Sequence, residues 1–245
     1  MKKAKVISKL DPRFLKGIAH RGLHNDKFTE NGLKAFKNAI DNDLAFEFDI
    51  HLTKDNELVV CHDENLVRTT GKDGIIEHLT LKEIKDNYRL LDGGEIPTLQ
   101  EVFDINQEKV PMVIEFKVYE KNYEALTNKA KEMFTQIKDK SKVMLISFDP
   151  RSLWPFKRSG YIRSLLSTYD KEYQYVYMFR HTVESVDLDM RWFNEKKVRR
   201  YAKNHFVNAW TIENEQQLDK ILPYVDTVTF QYMDKDIVRH KLERK

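Results

Sequence analysis

The chain has 245 residues, 41% of them hydrophobic and 33% charged, a balance that excludes a disordered or membrane-embedded polypeptide. Its 42 basic and 39 acidic side chains leave a formal net charge of +3, which argues against a nucleic-acid partner held by bulk charge. The single cysteine, Cys61, excludes an internal disulfide, and no stretch reaches the ~20 apolar residues that cross a bilayer. The N-terminus is basic but lacks the apolar run of a signal peptide, so the expected protein is cytoplasmic, without stable membrane insertion.

Along the chain, short apolar runs alternate with amphipathic segments. Residues 17–20 are strand-sized, and 31–43 carry Leu33, Phe36, Ala39 and Ile40 at helical spacing. Residues 44–52 read as a strand and 57–63 as an extension after the KDN turn. Residues 64–108 break the rhythm with two short helical patterns, TLKEIKDNY and LQEVFDI, and read as a small insertion between barrel-type strands. Strands then recur at 112–118, 142–148, 162–168, 185–190, 206–212 and 225–230, with helical patterns in several of the gaps. No repeat or Gly/Ser linker marks a boundary, so residues 1–245 read as one domain. Eight strands alternating with helices predict an α/β fold, a (β/α)8 TIM barrel with a small insertion after the second strand. A doubly wound sheet is the competing solution, but its Gly-rich phosphate turn is absent.

Charged residues interrupt these apolar strands at their ends, where a barrel gathers its chemistry. Glu47 and Asp49 are two apart and share a strand face, with Phe46, Phe48 and Ile50 on the other. Glu115 and Lys117 repeat the pattern, His20 and Arg21 end the first strand, and His62 ends the run VVC. Each has an ordinary alternative: an edge strand facing water, a hydrogen-bonded structural histidine, a surface ion pair. Their recurrence at corresponding strand ends favours a common site. Burying Glu47, Asp49 and Glu115 together requires a cation or protons, and three hard oxygen ligands suit Mg2+ or Ca2+ better than Zn2+. Two histidines beside such a cation suggest general acid and base, with Arg21 and Lys117 neutralising phosphate oxygens. The chemistry indicated is phosphodiester cleavage. His51 has the parity of Asp49, and its place in the site is left open.

The motifs HRG (20–22), TEN (29–31), EFD (47–49), VVCHDENLVRTTGKDG (59–74), TLKEI (80–84), IPTLQEVF (96–103), IEFK (114–117), ISFD (146–149) and AWT (209–211) resemble those of the glycerophosphodiester phosphodiesterases, in the family's order. The resemblance implies Glu47, Asp49 and Glu115 as ligands of a divalent cation, and His20 and His62 as general base and acid. It implies Arg21 and Lys117 as phosphate contacts, Glu30 and Asn31 as support for the site, and Trp210 as a ring packed on glycerol. A strand tryptophan is otherwise usually core. The implied reaction is attack on phosphorus by the neighbouring glycerol hydroxyl, then opening of the cyclic phosphate by water to give glycerol 3-phosphate and an alcohol. The implied partner is a small-molecule glycerophosphodiester. Thr29 stands where the family usually has proline, Thr229-Phe230 where it usually has Thr-Asp, and residues 150–205 match poorly. Two alternatives accompany this reading. One is a phospholipase-type phosphodiesterase acting on a membrane lipid head group, with the aromatic stretch 169–181 as an interfacial rim; the other is a non-catalytic barrel that binds glycerophosphodiesters.

Overall fold

In the computed structural model, which describes residues 2–170 and 174–245, nine strands form one sheet. They are β1 (Ile18–Ala19), β2 (Ala45–Leu52), β3 (Leu58–Val60), β4 (Met112–Phe116), β5 (Val143–Ser147), β6 (Ile162–Ser167), β7 (Ser185–Asp189), β8 (Val207–Ile212) and β9 (Thr227–Phe230). Eight are parallel, and β1 pairs with both β2 (Ile18 with Ala45) and β9 (Ile18 with Thr229), which closes a barrel. The extra strand, β3, runs antiparallel to β2. β1 has only two residues in its ladder, yet pairing continues past it: the His20 N–H donates to the Phe230 carbonyl at 2.9 Å.

Helices fill the gaps: α1 (Lys3–Ile7), α2 (Leu33–Asp41), α3 (Val67–Thr70), α4 (Leu81–Asn87), α5 (Leu99–Asn106), α6 (Tyr123–Met133), α7 (Pro150–Leu153), α8 (Lys196–Ala202), α9 (Glu215–Ile221) and α10 (Lys235–Glu243). Local sequence explains several boundaries. Thr80 with Glu83 and Thr98 with Glu101 form capping boxes that start α4 and α5, and Asp149 and Asn214 cap α7 and α9. The α2 stripe Ala35, Phe36 and Ala39 is buried against the sheet. The connection from β6 to β7 carries a 3-10 segment, Gln174–Thr182, where sequence periodicity gives no helix. The Lys-rich α1 and the α10 segment were likewise not anticipated, since each buries only one or two residues of its own: Val6, and Val238 with Leu242.

Alternation along each strand divides two cores. Outward residues such as Phe46, Phe48, Ile50, Met112, Ile114 and Leu145 pack beneath the helices. Inward residues Ile18, Ala45, Val113, Met144, Ile162 and Phe206 fill the lower lumen, where Val6, Leu10 and Phe14 from the N-terminal segment plug the barrel. Val59 of β3 and residues between β3 and α5, including Leu66, Ile76, Ile84 and Ile96, form a separate small core, whereas Leu99, Val102 and Phe103 of α5 join the outer barrel core. Higher on the same inward faces, toward the carboxyl ends, the chain presents His20, Glu47, Asp49, Glu115, Asp187 and Asn208.

Candidate active site

A cavity of about 100 Å³ opens at the carboxyl ends of the strands, lined by His20, Arg21, Glu47, His62, Glu115, Ile146, Phe148, Leu166, Asp187, Trp210, Thr211 and Thr229. Six residues singled out in the sequence, His20, Arg21, Glu47, His62, Glu115 and Trp210, therefore line one cavity. Asp49 and Lys117 are outside the lining but adjoin it, Lys117 contacting both Glu115 and Asp49. One carboxylate oxygen from each of Glu47, Asp49 and Glu115 lies within 4.8 Å of the others, all three residues being buried. Strand register brings them together: Asp49 pairs with Glu115 across β2 and β4, and Glu47 is the next residue inward on the same face of β2.

Such crowding is electrostatically costly. Burial, with Asp49 and Glu115 nearby, pushes the Glu47 carboxyl well above its ordinary range, and burial pushes Glu115 to about 7. Asp49 is held low despite its burial, by Lys117, His62 and Arg21 and by the Asn31 amide. Lys117 Nζ reaches Glu115 Oε1 at 3.0 Å and Asp49 Oδ1 at 3.6 Å. The Asp49 Oδ1 atom is buried without a hydrogen-bond partner. Two carboxylates raised by burial beside an unsatisfied carboxylate oxygen form a donor set that a hard divalent cation fits.

The HRG turn supports this cluster through its backbone. Arg21 has φ 53°, and its N–H donates to Glu47 Oε2 at 2.9 Å. Gly22 has φ 83°, and a Cβ there would lie 2.9 Å from the Ala35 and Phe36 side chains, so only glycine lets α2 approach. Asn31 Nδ2 donates to Asp49 Oδ2 at 2.8 Å, while Glu30 accepts from Arg21 at 2.7 Å. Thr29 ties this turn to the segment between α4 and α5: its N–H donates to Asp92 Oδ2 and its hydroxyl accepts from the Asp92 N–H, each at 3.2 Å.

The two histidines sit in different surroundings. His20 Nδ1 lies 2.7 Å from Gln231 Oε1, and Gln231 Nε2 donates to Glu213 Oε1 at 2.6 Å. With that amide orientation assigned by its partners, His20 must carry its proton on Nδ1 and keep the Nε2 lone pair free. Burial, reinforced by Arg21, lowers its pKa to about 3, so the ring is neutral. His62 is half-buried, and its Nδ1 lies 2.6 Å from Asp63 Oδ1. Asp63 accepts from Arg68 Nε at 2.5 Å, and Arg68 in turn donates twice to Glu30, which links His62 to Arg21 through alternating charges. Burial lowers the His62 pKa, while the Asp49 and Asp63 carboxylates oppose that shift.

His51 is not in the cavity wall. It is buried between Glu77 Oε1, 2.6 Å from Nδ1, and the His62 carbonyl, 3.2 Å from Nε2, where it holds the loop that carries His62. Trp210 lines the cavity and rests on the top of the lower core; its Nε1 donates to the Asp187 carbonyl at 3.0 Å, and its ring meets Phe148 edge-on with centroids 5.6 Å apart.

Gln231, Glu213, Asp63 and Arg68 escaped the sequence reading: Gln231, Glu213 and Arg68 act on partners supplied by other segments, which no local pattern shows, whereas Asp63 stands next to its partner His62 in the run VVCHD. Asp187 escaped it too, although SVDLD places two acids on one strand face, as EFD does. Burial, with Glu115 adding repulsion, pushes Asp187 up to about 7. Of the aromatic stretch 169–181, residues 171–173 lie outside the described residues. Within the rest, Val176 and Tyr177 are buried, whereas Tyr175 and Met178 are exposed.

The model of the Glycerophosphoryl diester phosphodiesterase family matches residues 20–235. A glycerophosphodiester phosphodiesterase of Caldanaerobacter subterraneus is 36% identical over 149 residues, 58% of this chain and 61% of that protein, so the match spans under two thirds of that relative. The crystal structure of a glycerophosphodiester phosphodiesterase from Thermotoga maritima superposes with a TM-score of 0.71 at 26% identity, covering 93% of this chain and 97% of the other. An Oleispira antarctica phosphodiesterase, solved in complex with the product sn-glycerol-3-phosphate, shares the fold with a TM-score of 0.80 at 24% identity, covering 97% and 99% of the two chains.

Proposed function

The chain belongs to the glycerophosphoryl diester phosphodiesterase family, and we propose that it hydrolyses glycerophosphodiesters to glycerol 3-phosphate and an alcohol. The observation that carries this reading is the convergence of Glu47, Asp49 and Glu115 at a cavity whose wall holds His20, His62 and Arg21. Glu47, Asp49 and Glu115 would hold the divalent cation, Mg2+ or Ca2+, which when bound neutralises charge on the phosphate and polarises it toward attack.

His20 acts as the base in this scheme. The glycerol hydroxyl next to the phosphoester attacks phosphorus and gives its proton to His20 Nε2. His62, whose positive form Asp63 favours, protonates the departing alcohol oxygen. Water then opens the cyclic phosphate: His62 takes the water proton and His20 returns its own to the glycerol oxygen, restoring both rings. Arg21 and Lys117 contact the nonbridging oxygens, Trp210 packs on the glycerol, and Glu30 and Asn31 keep Arg21 and Asp49 in place. The single buried Cys61 supports a cytoplasmic setting. Residues 64–108 would be a small insertion that follows directly on His62 and supplies Arg68 to Asp63 and Glu77 to His51.

Purified protein given glycerophosphocholine or glycerophosphoethanolamine with Mg2+, Ca2+ or Mn2+ is expected to release glycerol 3-phosphate, and EDTA to stop it. No release with any of the three cations contradicts the reading. A phospholipase-type activity on a membrane lipid head group is a second reading. It is favoured by the exposure of Trp154, Tyr175, Met178 and Phe179, which follow β5 and β6. Co-sedimentation with anionic vesicles is its expected result, and absence of binding removes it. Stoichiometric binding of the diester without product would instead indicate the non-catalytic barrel.

A further inference from the structure

The lumen holds a second polar group across from the carboxylate cluster, and the acid–base scheme does not use it. Asp187 on β7 is 1% exposed and lines the cavity. Asn208 on β8, equally buried, donates through Nδ2 to Asp187 Oδ1 and to Thr229 Oγ1 of β9, the latter at 2.8 Å. Strand pairing forces this grouping, because Asp187 and Asn208 are register partners. One oxygen of each remains: Asp187 Oδ2 and Asn208 Oδ1 are buried without a hydrogen-bond partner in the protein. An unsatisfied buried acceptor costs free energy that a ligand hydroxyl can recover.

Placement narrows the ligand. Around the barrel the strand order runs β1, β2, β4, β5, β6, β7, β8, β9, so β7 faces β2 from the opposite wall. The cation-binding carboxylates are on β2 and β4, and the interior of an eight-stranded barrel is only wide enough for one small ligand. The Trp210 ring stands beside β7, its Nε1 bonded to the Asp187 carbonyl and its ring edge-on to Phe148. A glycerol whose phosphate sits at the carboxylate cluster and whose carbons lie on Trp210 therefore directs its far end toward β7. Of the remaining lining, Ile146, Phe148 and Leu166 offer no hydrogen bond from their side chains, Thr229 already accepts from Asn208, and Thr211 adds a single hydroxyl.

We propose that Asp187, held by Asn208 and Thr229, is a specificity-determining residue that binds the terminal hydroxyl of the substrate's glycerol, the one remote from phosphorus. The inference rests on the glycerophosphodiesterase reading and assigns its substrate selectivity to β7 and β8. It accounts for the cost of burying a carboxyl that neither touches the HRG turn nor caps a helix.

The test compares glycerophosphocholine with 2-hydroxyethyl phosphocholine, the same diester without the terminal CH2OH. Wild-type protein is expected to favour the glycerol substrate in kcat/KM by roughly 10- to 100-fold, the worth of a hydrogen bond to a charged or strongly polar buried group. Asp187→Ala should bring the two substrates within about threefold, mainly by raising KM for glycerophosphocholine. Asp187→Asn, which keeps the volume and one oxygen, should retain part of the preference and guards against misfolding of the alanine variant. Equal rates for both diesters in the wild type, or a wild-type preference that survives Asp187→Ala, overturns the proposal. Failure of both diesters to react contradicts the parent reading instead. Calorimetry with sn-glycerol 3-phosphate against 2-hydroxyethyl phosphate then decides on Asp187, tighter binding of the former supporting it and equal binding opposing it.

Discussion

The lower and upper halves of the barrel lumen are built from the same strands, two residues apart. Below, Ile18, Ala45, Val113, Met144, Ile162 and Phe206 pack against Val6, Leu10 and Phe14. Above, the same strand faces carry His20, Glu47 and Asp49, Glu115, Ser164, Asp187 and Asn208. The lower layer gains free energy by removing apolar surface from water, and the upper layer spends some of it by burying charge. On β2, β4 and β6 the polar side chain thus stands above an apolar anchor of its own strand, Ala45, Val113 or Ile162, whereas on β7 Asp187 stands above Ser185. Backbone pairing positions the carboxylates, whereas Arg21, His62 and Lys117 follow the strand ends.

Substitutions in the two layers should accordingly separate activity from stability. The largest expected effect is on turnover: His20→Ala and His62→Ala should each lower kcat by about two to four orders of magnitude. Their thermal unfolding should stay close to wild type, because neither ring anchors the lower core. Loss of activity in proportion to loss of folded protein would break the distinction. Phe14→Ala, in the plug, should do the reverse. It should cost about 3–5 kcal/mol of stability by denaturant unfolding, while the molecules that remain folded keep near-normal kcat.

A cation sharpens the contrast next. At a concentration one hundred times its dissociation constant, a divalent ion should stabilise the wild type by about 2.7 kcal/mol. Glu115→Gln should remove that gain, and its metal-free form should melt no lower than the metal-free wild type, since one of three crowded carboxyls becomes neutral. A large metal-induced shift in Glu115→Gln would contradict the carboxylate cluster as the binding site.

The smallest effect concerns the outer ion-pair chain. Hydrogen bonds and charge from Arg68 and Arg21 outweigh burial and lower Glu30 to about 2, from an ordinary value of 4.5. A carboxyl lowered in the folded state binds fewer protons there than when unfolded, so it adds stability above pH 4.5 that fades as pH falls toward 2. Glu30→Gln should flatten stability across that acid window and leave the neutral-to-alkaline profile parallel to wild type. An unchanged acid slope would place the ion pair outside the stability balance.

How much of this is legible in the sequence follows from the range of the interactions. A period of two makes Glu47 and Asp49 conspicuous between Phe46, Phe48 and Ile50, and the same rule places Glu115 and the barrel strands. No local rule links His20 to Gln231, whose contact spans 211 residues, or His62 to Arg21 through Asp63, Arg68 and Glu30. His51 shows the limit of parity: it shares the face of Asp49, yet Glu77 and the His62 carbonyl claim both ring nitrogens. Trp210 could have been core or cavity wall until the Asp187 carbonyl and Phe148 fixed its edge. Asp187 was within reach of the same alternation argument, but with no histidine or HRG turn beside it the signal had no chemical context.

The convergence of acids from β2 and β4 on one ion is tested most directly by anomalous scattering from crystals soaked in Mn2+. The account predicts a single strong peak within coordination distance of Glu47, Asp49 and Glu115, about 2.0–2.6 Å from their oxygens by analogy with hard-cation sites. A peak elsewhere, or none under conditions that support turnover, would contradict it.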